Sequence, residues 1–415
     1  MEINTVGVIG LGYIGLPTAA ILASKDVKVI GVDVSPRTVE AVNRGDVPFV
    51  EPDLATYVAG AVQQGTLRAT GTPEPADAFI VAVPTPFQGD HEPDLSYIEA
   101  AAKALAPQLR GGELLILEST SPPGATQKMA EWVLEVRPDL SLDGSEDRPQ
   151  IHVAHCPERV LPGRVMIELV TNDRIVGGLT PEAAQIAKDL YAVFCQGEIL
   201  LTDAVTAEMA KLVENSFRDV NIAFANELSL ISDKLGIDVW ELIRLANHHP
   251  RVNILQPGPG VGGHCIAVDP WFIVDADPEQ ARLIRTAREV NDSKPQWVID
   301  QVVAAAEGIE SPTIAALGLA FKADIDDLRE SPARRIVADL ADRLPHAEIV
   351  VVEPHIETLP PELANRRNVG LSGLADATAA ADVIVVLVDH TEFKGRVTSL
   401  DPEHAVLVDT RGIVR

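Results

Sequence analysis

The stretch GPGVGGHCIAVDP, residues 258–270, holds a cysteine, Cys265, within a run of glycines. The surrounding glycines let a backbone pass close to a ligand without obstruction by side chains. A thiol in such a loop is accessible, and accessible thiols are kept where thiolate reactivity is used. The alternative, a small apolar filler, suits Cys156 and Cys195 better, because they lie in or beside apolar segments. We therefore interpret Cys265 as a nucleophile, with Asp269 near the same reacting centre.

The stretch GLGYIG near the N-terminus is typical of a dinucleotide-binding turn between a strand and a helix. Gly10 permits the tight turn, Gly12 lets the backbone approach a pyrophosphate, and Gly15 lets the helix lie close to the strand. Asp33 closes the second strand, about twenty residues on, where ribose hydroxyls would lie. A carboxylate there repels a 2′-phosphate, so we expect NAD rather than NADP. Arg37 is the one opposing feature.

We expect a long helix to carry a stripe of polar side chains that take part in the same reaction. Residues 206–235 contain no proline, carry apolar residues at helical spacing and end at Gly236. Lys211, Asn215 and Arg218 are spaced by four and three, so they share one face of this helix. A solvated stripe is the ordinary explanation for such a trio, but the rest of the helix is patterned as a buried one.

An NAD site and a loop cysteine together predict a particular reaction. Oxidation of an alcohol to an aldehyde needs hydride transfer and a base. Further oxidation to an acid needs a tetrahedral adduct that can give up a second hydride. A thiolate provides that adduct as a thiohemiacetal, oxidation gives a thioester, and water releases the acid. The sequence therefore predicts a four-electron oxidation of an alcohol to an acid.

Strand and helix patterns alternate at both ends of the chain, which predicts an α/β fold. We expect two Rossmann-like doubly wound parallel-sheet domains joined by a central helical domain that contains the long helix. The predicted boundaries are residues 1–205 for the NAD-binding domain, 206–305 for the helical domain and 306–415 for the second nucleotide-binding domain. Three segments of the C-terminal part, ALGLAFK, VVVEP and VLVDTRG, resemble the N-terminal strand segments VIGLGYIG, VIGVD and LLILEST in turn. The C-terminal segments lack the GxGxxG glycines.

The composition restricts the partners and the location. The formal charge of −27 disfavours nucleic acids and anionic membranes. The sequence has no run of eighteen apolar residues, and its three cysteines show no CxxC spacing, so we expect no membrane span, no disulfide framework and no metal site. We predict a cytoplasmic protein, with the long helix as the surface of a homodimer.

Seven segments of the chain carry a family resemblance: GLGYIGLPTA, VPTPF, ESTSPPG, CPERVLPG, KLVENSFRDVNIAFANELS, HPRVNILQPGPGVGGHC and GLAFKADIDDLRESP. Through them the whole chain resembles the nucleotide-sugar 6-dehydrogenase family, which comprises UDP-glucose and UDP-N-acetylhexosamine dehydrogenases. The resemblance implies NAD-dependent oxidation of a UDP-sugar at C6, for the synthesis of a surface polysaccharide. His264 stands where UDP-glucose dehydrogenases carry a serine, which favours an N-acetylhexosamine substrate.

The resemblance also implies roles for individual residues. It makes Cys265 the nucleophile, Lys211 the acid/base residue and Asn215 a holder of the oxyanion. Residues matched to the ordering or activation of water are Thr120, Glu158 and Asp269, of which Glu158 is the candidate for assisting thioester hydrolysis. Those matched to the cofactor are Gly10, Gly12, Tyr13, Ile14, Gly15, Asp33, Thr85, Thr126 and Arg329. Those matched to the substrate are Arg159, Val160, Lys211, Asn215, Arg218, His249, Arg251, Gly262, Phe321, Lys322 and Arg411.

The basic residues among them suit a diphosphate. The chain is acidic overall, but loops at predicted strand ends gather four basic residues: Arg251, Lys322, Arg329 and Arg411. Guanidinium groups bind phosphate oxygens in a bidentate manner. Three alternatives stay open: the same chemistry on UDP-N-acetylglucosamine or UDP-glucose, a single-step dehydrogenase of the hydroxyacid type, and a catalytically silent nucleotide-binding protein. A single-step enzyme has no use for Cys265. A silent protein would be expected to lose Lys211 or Cys265.

Overall fold

The computed structural model describes residues 2–49, 51–89, 91–161, 163–263, 266–397 and 405–414. The chain divides into two compact units, one formed by Met1–Glu214 with Trp271–Asp277 and the other by Asn215–Pro270 with Pro278–Arg415. The predicted boundaries at residues 205 and 305 stay a prediction.

The first unit is built on a sheet of eight strands in the order β10-β9-β8-β7-β4-β1-β2-β3. All neighbouring strands run parallel except β8 and β9, which are antiparallel. A short hairpin, β5-β6, lies outside this sheet. The strands are β1 (Thr5–Ile9), β2 (Lys28–Val32), β3 (Leu67–Thr70), β4 (Ala78–Val81), β5 (Phe87–Gln88), β6 (Glu92–Pro93), β7 (Leu114–Leu117), β8 (His152–His155), β9 (Arg174–Gly178) and β10 (Ile199–Asp203).

Helices cover both faces of this sheet because alternate strand residues point to opposite sides. In β4, Ala78 and Ile80 belong to one buried cluster, whereas Phe79 and Val81 belong to the other. The helices are α1 (Gly15–Ala23), α2 (Pro36–Asn43), α3 (Leu54–Gln64), α4 (Ser96–Leu105), α5 (Ala125–Val136), α6 (Val165–Thr171) and α7 (Pro181–Tyr191), with 3₁₀ turns at Ala106–Gln108 and Ser145–Asp147.

The long helix is present as α8 (Ala204–Leu235) and begins two residues before the predicted start. Asp203 sets this start, because its carboxylate accepts hydrogen bonds from the amide and hydroxyl of Thr206 at 2.9 and 2.7 Å. The helix ends as predicted before Gly236, which has a φ of +66°. It is followed by α9 (Val239–Ala246), α10 (Asp269–Ala276) and α11 (Arg282–Ala305).

Helix α11 continues through a proline, Pro295, in its interior. Val298, Ile299 and Val302 extend its buried face beyond the proline. Burial of these side chains offsets the hydrogen bond that a proline removes from a helix interior.

The second unit contains a parallel five-stranded sheet in the order β13-β12-β11-β14-β15. This order matches β3-β2-β1-β4-β7 of the first sheet, strand for strand, so the predicted second nucleotide-binding fold is confirmed. Its elements are β11 (Thr313–Leu317), α12 (Pro332–Arg343), β12 (Glu348–Val352), α13 (Pro361–Ala364), β13 (Val369–Leu371), α14 (Leu374–Ala380), β14 (Val383–Val386) and β15 (Val406–Asp409).

Buried polar groups join α8 to α11 within the second unit. The Arg288 guanidinium lies 2.5 Å from the Asp219 carboxylate, which also accepts a hydrogen bond from the Asn291 amide group at 2.8 Å. Lys294 is buried as well; its ammonium group donates to the Ser229 hydroxyl at 2.7 Å and lies 3.5 Å from the centre of the Trp297 ring. Burial lowers the pKa of Lys294 to about 7. The two helices are therefore joined by buried charged and hydrogen-bonded groups.

Replacement of Arg288 by alanine should strongly destabilise this helix pair. It would leave the Asp219 carboxylate buried without its cation, and breaking a buried ion pair in this way costs about 3–5 kcal/mol. Urea unfolding followed by tryptophan fluorescence measures the effect. Arg282→Ala, an exposed position on the same helix, is the control. Equal unfolding midpoints for the two variants would contradict the assigned role of Arg288.

Candidate active site

The glycine turn lies between β1 and α1, as predicted. Gly10 has a φ of +93°, and its amide donates to the Val32 carbonyl at 2.8 Å. A side chain at Gly15 would collide with the Gly10 carbonyl oxygen, so glycine alone allows α1 to start this close to the strand. A Cβ atom at Gly12 would meet no described atom within 4 Å. The start of α1 thus has open space where a ligand could approach the backbone.

Asp33 follows the end of β2, beside this turn. Its two carboxylate oxygens accept hydrogen bonds from the amides of Leu11 at 3.0 Å and Ser35 at 2.8 Å. These bonds fix the carboxylate, and each oxygen keeps a lone pair for a further donor such as a ribose hydroxyl. Arg37 is exposed in the first turn of α2.

The other residues matched to the cofactor differ in their surroundings. Tyr13 is 41% exposed and stacks on Phe49 with ring centres 4.2 Å apart, and Ile14 is half-buried before α1. The Thr85 hydroxyl is buried and has no hydrogen-bond partner among the described residues. The Thr126 hydroxyl is also buried, but it donates to Glu208 at 2.5 Å. Thr85 is therefore the better placed of the two threonines to donate to a ligand.

The chain's own geometry fits a dinucleotide at the start of α1. No side chain caps the N-terminus of this helix, which is described in full, so the positive end of the helix dipole is open to a phosphate. The fixed Asp33 carboxylate and the unpartnered Thr85 hydroxyl offer further polar contacts on the same unit.

Glu158 belongs to a buried charge cluster that the sequence did not reveal. It is 8% exposed; one of its oxygens accepts from the Arg159 amide at 2.6 Å, and the other lies 3.4 Å from the Arg174 guanidinium. Arg174 is 4% exposed and also approaches Glu118 at 3.9 Å. The rings of Tyr191 and Phe194 lie 4.7 and 5.2 Å from its guanidinium carbon. Arg174 therefore holds Glu158 in place and supplies it with a positive charge.

Glu118 is the second acid of this cluster, which we call the Arg174 cluster (Glu118, Glu158, Arg174 and Tyr191). Its oxygens accept from the hydroxyls of Thr18 and Tyr191, each at 3.2 Å. Burial, reinforced by the negative charge of Glu158, raises the pKa of Glu118 to about 8. The neighbouring Cys156 is fully buried, and burial raises its pKa to about 12, as suits an apolar filler.

Two further contacts fix the surroundings of the predicted catalytic helix. Glu208, one turn before Lys211, accepts hydrogen bonds from the amides of Gly124 and Thr126 at 2.6 and 2.7 Å, so it caps the start of α5. Arg159 is paired with Glu214 at 2.7 Å. The segment after β7, which contains the half-buried Thr120, is therefore tied to the first turns of α8.

Asn215 and Asp269 are two predicted catalytic residues that the structure brings together. The Asn215 side-chain amide donates to the Asp269 carboxylate at 2.5 Å, and Asp269 is 3% exposed at the start of α10. Lys211, one turn before Asn215 on the same face of α8, is half-buried, and Arg218 is exposed. Asn215 is thereby oriented by a buried carboxylate.

The glycine-rich segment that precedes the cysteine is packed against the second nucleotide-binding fold. A Cβ atom at Gly262 would lie 2.8 Å from that of Phe321, and one at Gly258 would lie 2.6 Å from the Arg411 guanidinium. The Gly258 amide donates to Asn226 of α8 at 2.9 Å. His264 and Cys265 lie outside the described residues, so the role of Cys265 stays a prediction.

The remaining basic residues matched to the substrate, together with Arg329, which is matched to the cofactor, lie in the second unit. Arg411 pairs with Asp389 at 2.6 Å, and Arg329 pairs with Asp327 at 2.6 Å. Lys322 is exposed, as are His249 and Arg251 in the turn after α9. Val160, in the first unit, packs against the core.

Sequence reasoning missed Arg174 and Glu118, although each carried a signal. Both lie at an end of an apolar strand segment, RIVGG and LLILE respectively. A charge next to a fully buried strand must find a partner, which predicts an internal ion pair. The sequence does not say which two strands will lie close enough to form it.

The Arg174 cluster predicts a pH dependence that one substitution should reduce. Since the folded-state pKa of Glu118 is raised, the unfolded chain loses this proton first, and stability falls as pH rises from about 5 to about 8. Glu118→Gln should flatten this fall, because glutamine stays neutral. Its amide oxygen can accept from one of the two hydroxyls, and its NH2 group can donate to the other, since a hydroxyl is both donor and acceptor. Thermal unfolding midpoints at several pH values measure it. Glu40→Gln, at an exposed position of α2, should keep the slope of the wild type. The assignment fails if Glu118→Gln keeps that slope as well.

No helix within the described ranges is long and apolar enough to cross a membrane.

Three models of the UDP-glucose/GDP-mannose dehydrogenase family match the chain in order: its NAD binding domain at residues 4–195, its central domain at 205–293 and its UDP binding domain at 315–415. These matches follow the order of the two nucleotide-binding folds and the helices between them.

Similar proteins are known over the whole length of the chain. It is 58% identical to UDP-N-acetyl-D-mannosamine dehydrogenase of Escherichia coli K12, covering 100% of both chains. It is 57% identical to NDP-N-acetyl-D-galactosaminuronic acid dehydrogenase of Ralstonia nicotianae, covering 100% of this chain and 97% of the relative. The solved structure of UDP-D-ManNAc dehydrogenase from Pyrococcus horikoshii superposes with a TM-score of 0.85 at 37% identity, covering 99% of this chain and 96% of that one. The chain therefore belongs to the UDP-glucose/GDP-mannose dehydrogenase family and is an NAD-dependent oxidoreductase of the UDP-sugar dehydrogenase type.

Proposed function

We propose that this protein oxidises the C6 hydroxyl of UDP-N-acetyl-D-mannosamine to a carboxylate, giving UDP-N-acetyl-D-mannosaminuronate. The observation that carries the proposal is the 58% identity, over both complete chains, to a relative named for this substrate. We further propose that the reaction takes place in the cytoplasm and that the product serves the synthesis of a surface polysaccharide.

The first oxidation needs a base for the C6 hydroxyl. Lys211 takes that proton, and Asn215 donates to the oxygen on which negative charge develops. The 2.5 Å hydrogen bond from Asn215 to Asp269 supports this role, because it holds the amide in one orientation. NAD, when bound, supplies the hydride acceptor for both oxidations.

The second oxidation needs the cysteine. The Cys265 sulfur forms a bond to the aldehyde carbon and gives a thiohemiacetal, whose oxidation leaves a thioester. Water then adds to the thioester carbonyl, the carbon–sulfur bond breaks, and the thiol is regenerated as the acid departs. Glu158 accepts the proton of this water, while Thr120 and Asp269 order it. The contact between Glu158 and Arg174 supports a fixed position for the base.

The uridine diphosphate group binds to the second nucleotide-binding fold in this proposal. Phe321 and Gly262 form part of its pocket, and Lys322, Arg251 and Arg411 face the phosphates. Arg159, Val160, Arg218 and His249 complete the proposed contacts with the substrate, and Arg329 reaches the cofactor. The overall charge of −27 makes these local positive charges necessary for an anionic ligand.

A second candidate substrate is the corresponding N-acetyl-D-galactosamine nucleotide. It is favoured by the 57% identity to the relative from Ralstonia nicotianae. UDP-N-acetylglucosamine and UDP-glucose are further alternatives with the same reaction at C6. His264 in place of serine favours an N-acetylated sugar over glucose.

We also propose a homodimer formed through α8. Phe217, Phe224 and Ile231 follow one another at intervals of seven residues and are 70, 51 and 48% exposed. Val213 and Leu235 extend the same stripe at both ends, at 47 and 66% exposure. A stripe of this period on a long helix is the pattern that pairs helices from two chains.

The reaction is tested by the amount of NADH formed per UDP-N-acetylmannosamine consumed. We expect about two NADH per sugar from the wild type, because a thioester route transfers two hydrides. Cys265→Ala and Cys265→Ser should abolish net formation of the acid. Cys195→Ser, at a half-buried cysteine outside the proposed machinery, should leave the ratio unchanged.

One NADH per sugar, unchanged in the Cys265 variants, would contradict the cysteine mechanism. Turnover of the galactosamine nucleotide but not of the mannosamine nucleotide would transfer the proposal to the second candidate.

The dimer is tested by the substitution Phe224→Glu, which places a charge in the middle of the stripe. Light scattering after gel filtration should show a shift from twice the chain mass of 44.4 kDa to a single chain. Leu283→Glu introduces the same charge at a leucine of α11 that is 69% exposed, and it should leave the dimer intact. A monomeric wild type, or a dimeric Phe224→Glu variant, would refute this proposal.

A further inference from the structure

The two nucleotide-binding folds share one hydrogen-bond pattern at their first turn. In the first fold, the Gly10 amide donates to Val32, and the Asp33 carboxylate accepts from the amides of Leu11 and Ser35. In the second fold, the pattern returns with different residues. The amide of Gly318 (φ +97°) donates to Val352, and the Glu353 carboxylate accepts from the amides of Leu319 at 2.7 Å and His355 at 3.2 Å. Glu353 therefore occupies the position that Asp33 holds in the NAD-binding fold.

The two carboxylates differ in accessibility. Asp33 is half-buried, whereas Glu353 is 4% exposed and is covered by His390, which is fully buried. The Nε2 atom of His390 lies 3.1 Å from the Glu353 carboxylate. The carboxylate also accepts from the Ala320 amide at 3.0 Å. In the first fold, we expect ribose hydroxyls to approach this carboxylate. In the second fold, the His390 side chain fills the corresponding position.

The hydrogen bonds of His390 determine its tautomer. Its Nδ1 atom accepts from the Asp324 amide at 3.0 Å, so the proton of the neutral ring is on Nε2 and is donated to Glu353. Burial alone would raise the pKa of Glu353, but the hydrogen bonds from His390 and from the amides of Leu319 and Ala320 lower it below its usual range. The Glu353 carboxylate therefore accepts hydrogen bonds from the His390 ring and from two backbone amides.

The same pair holds both ends of the loop that carries two proposed substrate residues. Glu353 binds the amides of Leu319 and Ala320 at the start of the loop, and His390 binds the amide of Asp324 at its end. Phe321, half-buried, and Lys322, exposed, lie between these anchors. The Asp324 carboxylate is held in turn by the amide and hydroxyl of Thr391 at 2.9 and 2.7 Å.

Asp324, His355 and His390 also bring potential metal-ligand atoms within 4.8 Å of one another. Both ring nitrogens of His390 already have partners, Asp324 and Glu353. A metal ion would have to displace one of these hydrogen bonds, so we assign His390 to the loop.

We propose that His390 and Glu353 form a positioning pair, which closes the ribose position of a dinucleotide in the second fold and holds residues 319–324 in the conformation that binds the uridine diphosphate. The proposal rests on the proposed function, since that function assigns Phe321 and Lys322 to the substrate. The pair occupies the site that a second nucleoside would need. The second fold is thereby specific for a mononucleotide sugar.

Two substitutions, each of which can keep one of the two hydrogen bonds of His390, test the pair in the full-length enzyme. In His390→Asn, the amide oxygen can replace Nδ1 as acceptor for Asp324, but the donor to Glu353 is lost. In His390→Gln, the amide group can reach Glu353, but the acceptor for Asp324 is lost. We expect each to weaken UDP binding, measured by isothermal titration calorimetry, and to raise the KM of the UDP-sugar by about tenfold. The KM of NAD should stay within about twofold. His346→Gln, at an exposed histidine of the same unit, is the control.

Folded variants with unchanged UDP affinity would overturn the proposal. An equal loss of NAD and UDP affinity would also overturn it, because it would indicate general damage to the fold. Because UDP binding is measured without turnover, a wild type that binds UDP but oxidises no UDP-sugar would refute the proposed function and leave this test intact.

Hydrogen exchange on the wild type supplies a measurement that does not depend on how the variants fold. The amides of Leu319, Ala320 and Asp324 should be protected before UDP is added, because the pair already binds them. Protection that appears only after UDP is added would show that the loop is not preorganised, and the proposal would be wrong.

Discussion

Both halves of this enzyme depend on a hydrogen bond between a carboxylate after the second strand and a backbone amide after the first. A parallel sheet places the carboxyl ends of adjacent strands side by side, so the acid and the turn meet without any long-range adjustment. Asp33 binds Leu11 in this way, and Glu353 binds Leu319. The bond fixes the glycine turn, and the turn fixes the start of the loop or helix that meets a nucleotide. In our proposal, the accessibility of this carboxylate decides which ligand each fold can take.

Outside the glycine turns, buried charged groups fix side chains and helices in place. Arg174 orients Glu158 in the first unit, and Asp219 with Arg288 joins α8 to α11 in the second. Removing water from such pairs is costly, so they stabilise a fold only when every partner is present. The benefit is orientation, because a side chain held by several hydrogen bonds has one available position. Asn215, held by Asp269, shows the same principle at the proposed reacting centre.

Much of this architecture could be predicted from the sequence because it depends on local signals. The glycine turn with Asp33, the long helix that ends before Gly236 and the second nucleotide-binding fold all follow from short patterns. The continuation of α11 through Pro295 could not be foreseen, since tertiary burial outweighs the local preference. The antiparallel position of β9 and the pairs formed by Arg174 and His390 depend on which segments meet in space. Cys265, the residue from which the chemistry was inferred, is the part of the account that depends on sequence alone.

The division of ligands between the two folds is the central claim, and the stoichiometry of NAD binding tests it most directly. Isothermal titration calorimetry of NAD into the full-length protein, with and without saturating UDP, counts the sites that accept the dinucleotide. We predict one NAD per chain, with the same stoichiometry when UDP is bound, because Glu353 is buried whereas Asp33 is only half-buried. Two NAD per chain, or displacement of NAD by UDP, would show that the second fold accepts a dinucleotide and would contradict this division of ligands.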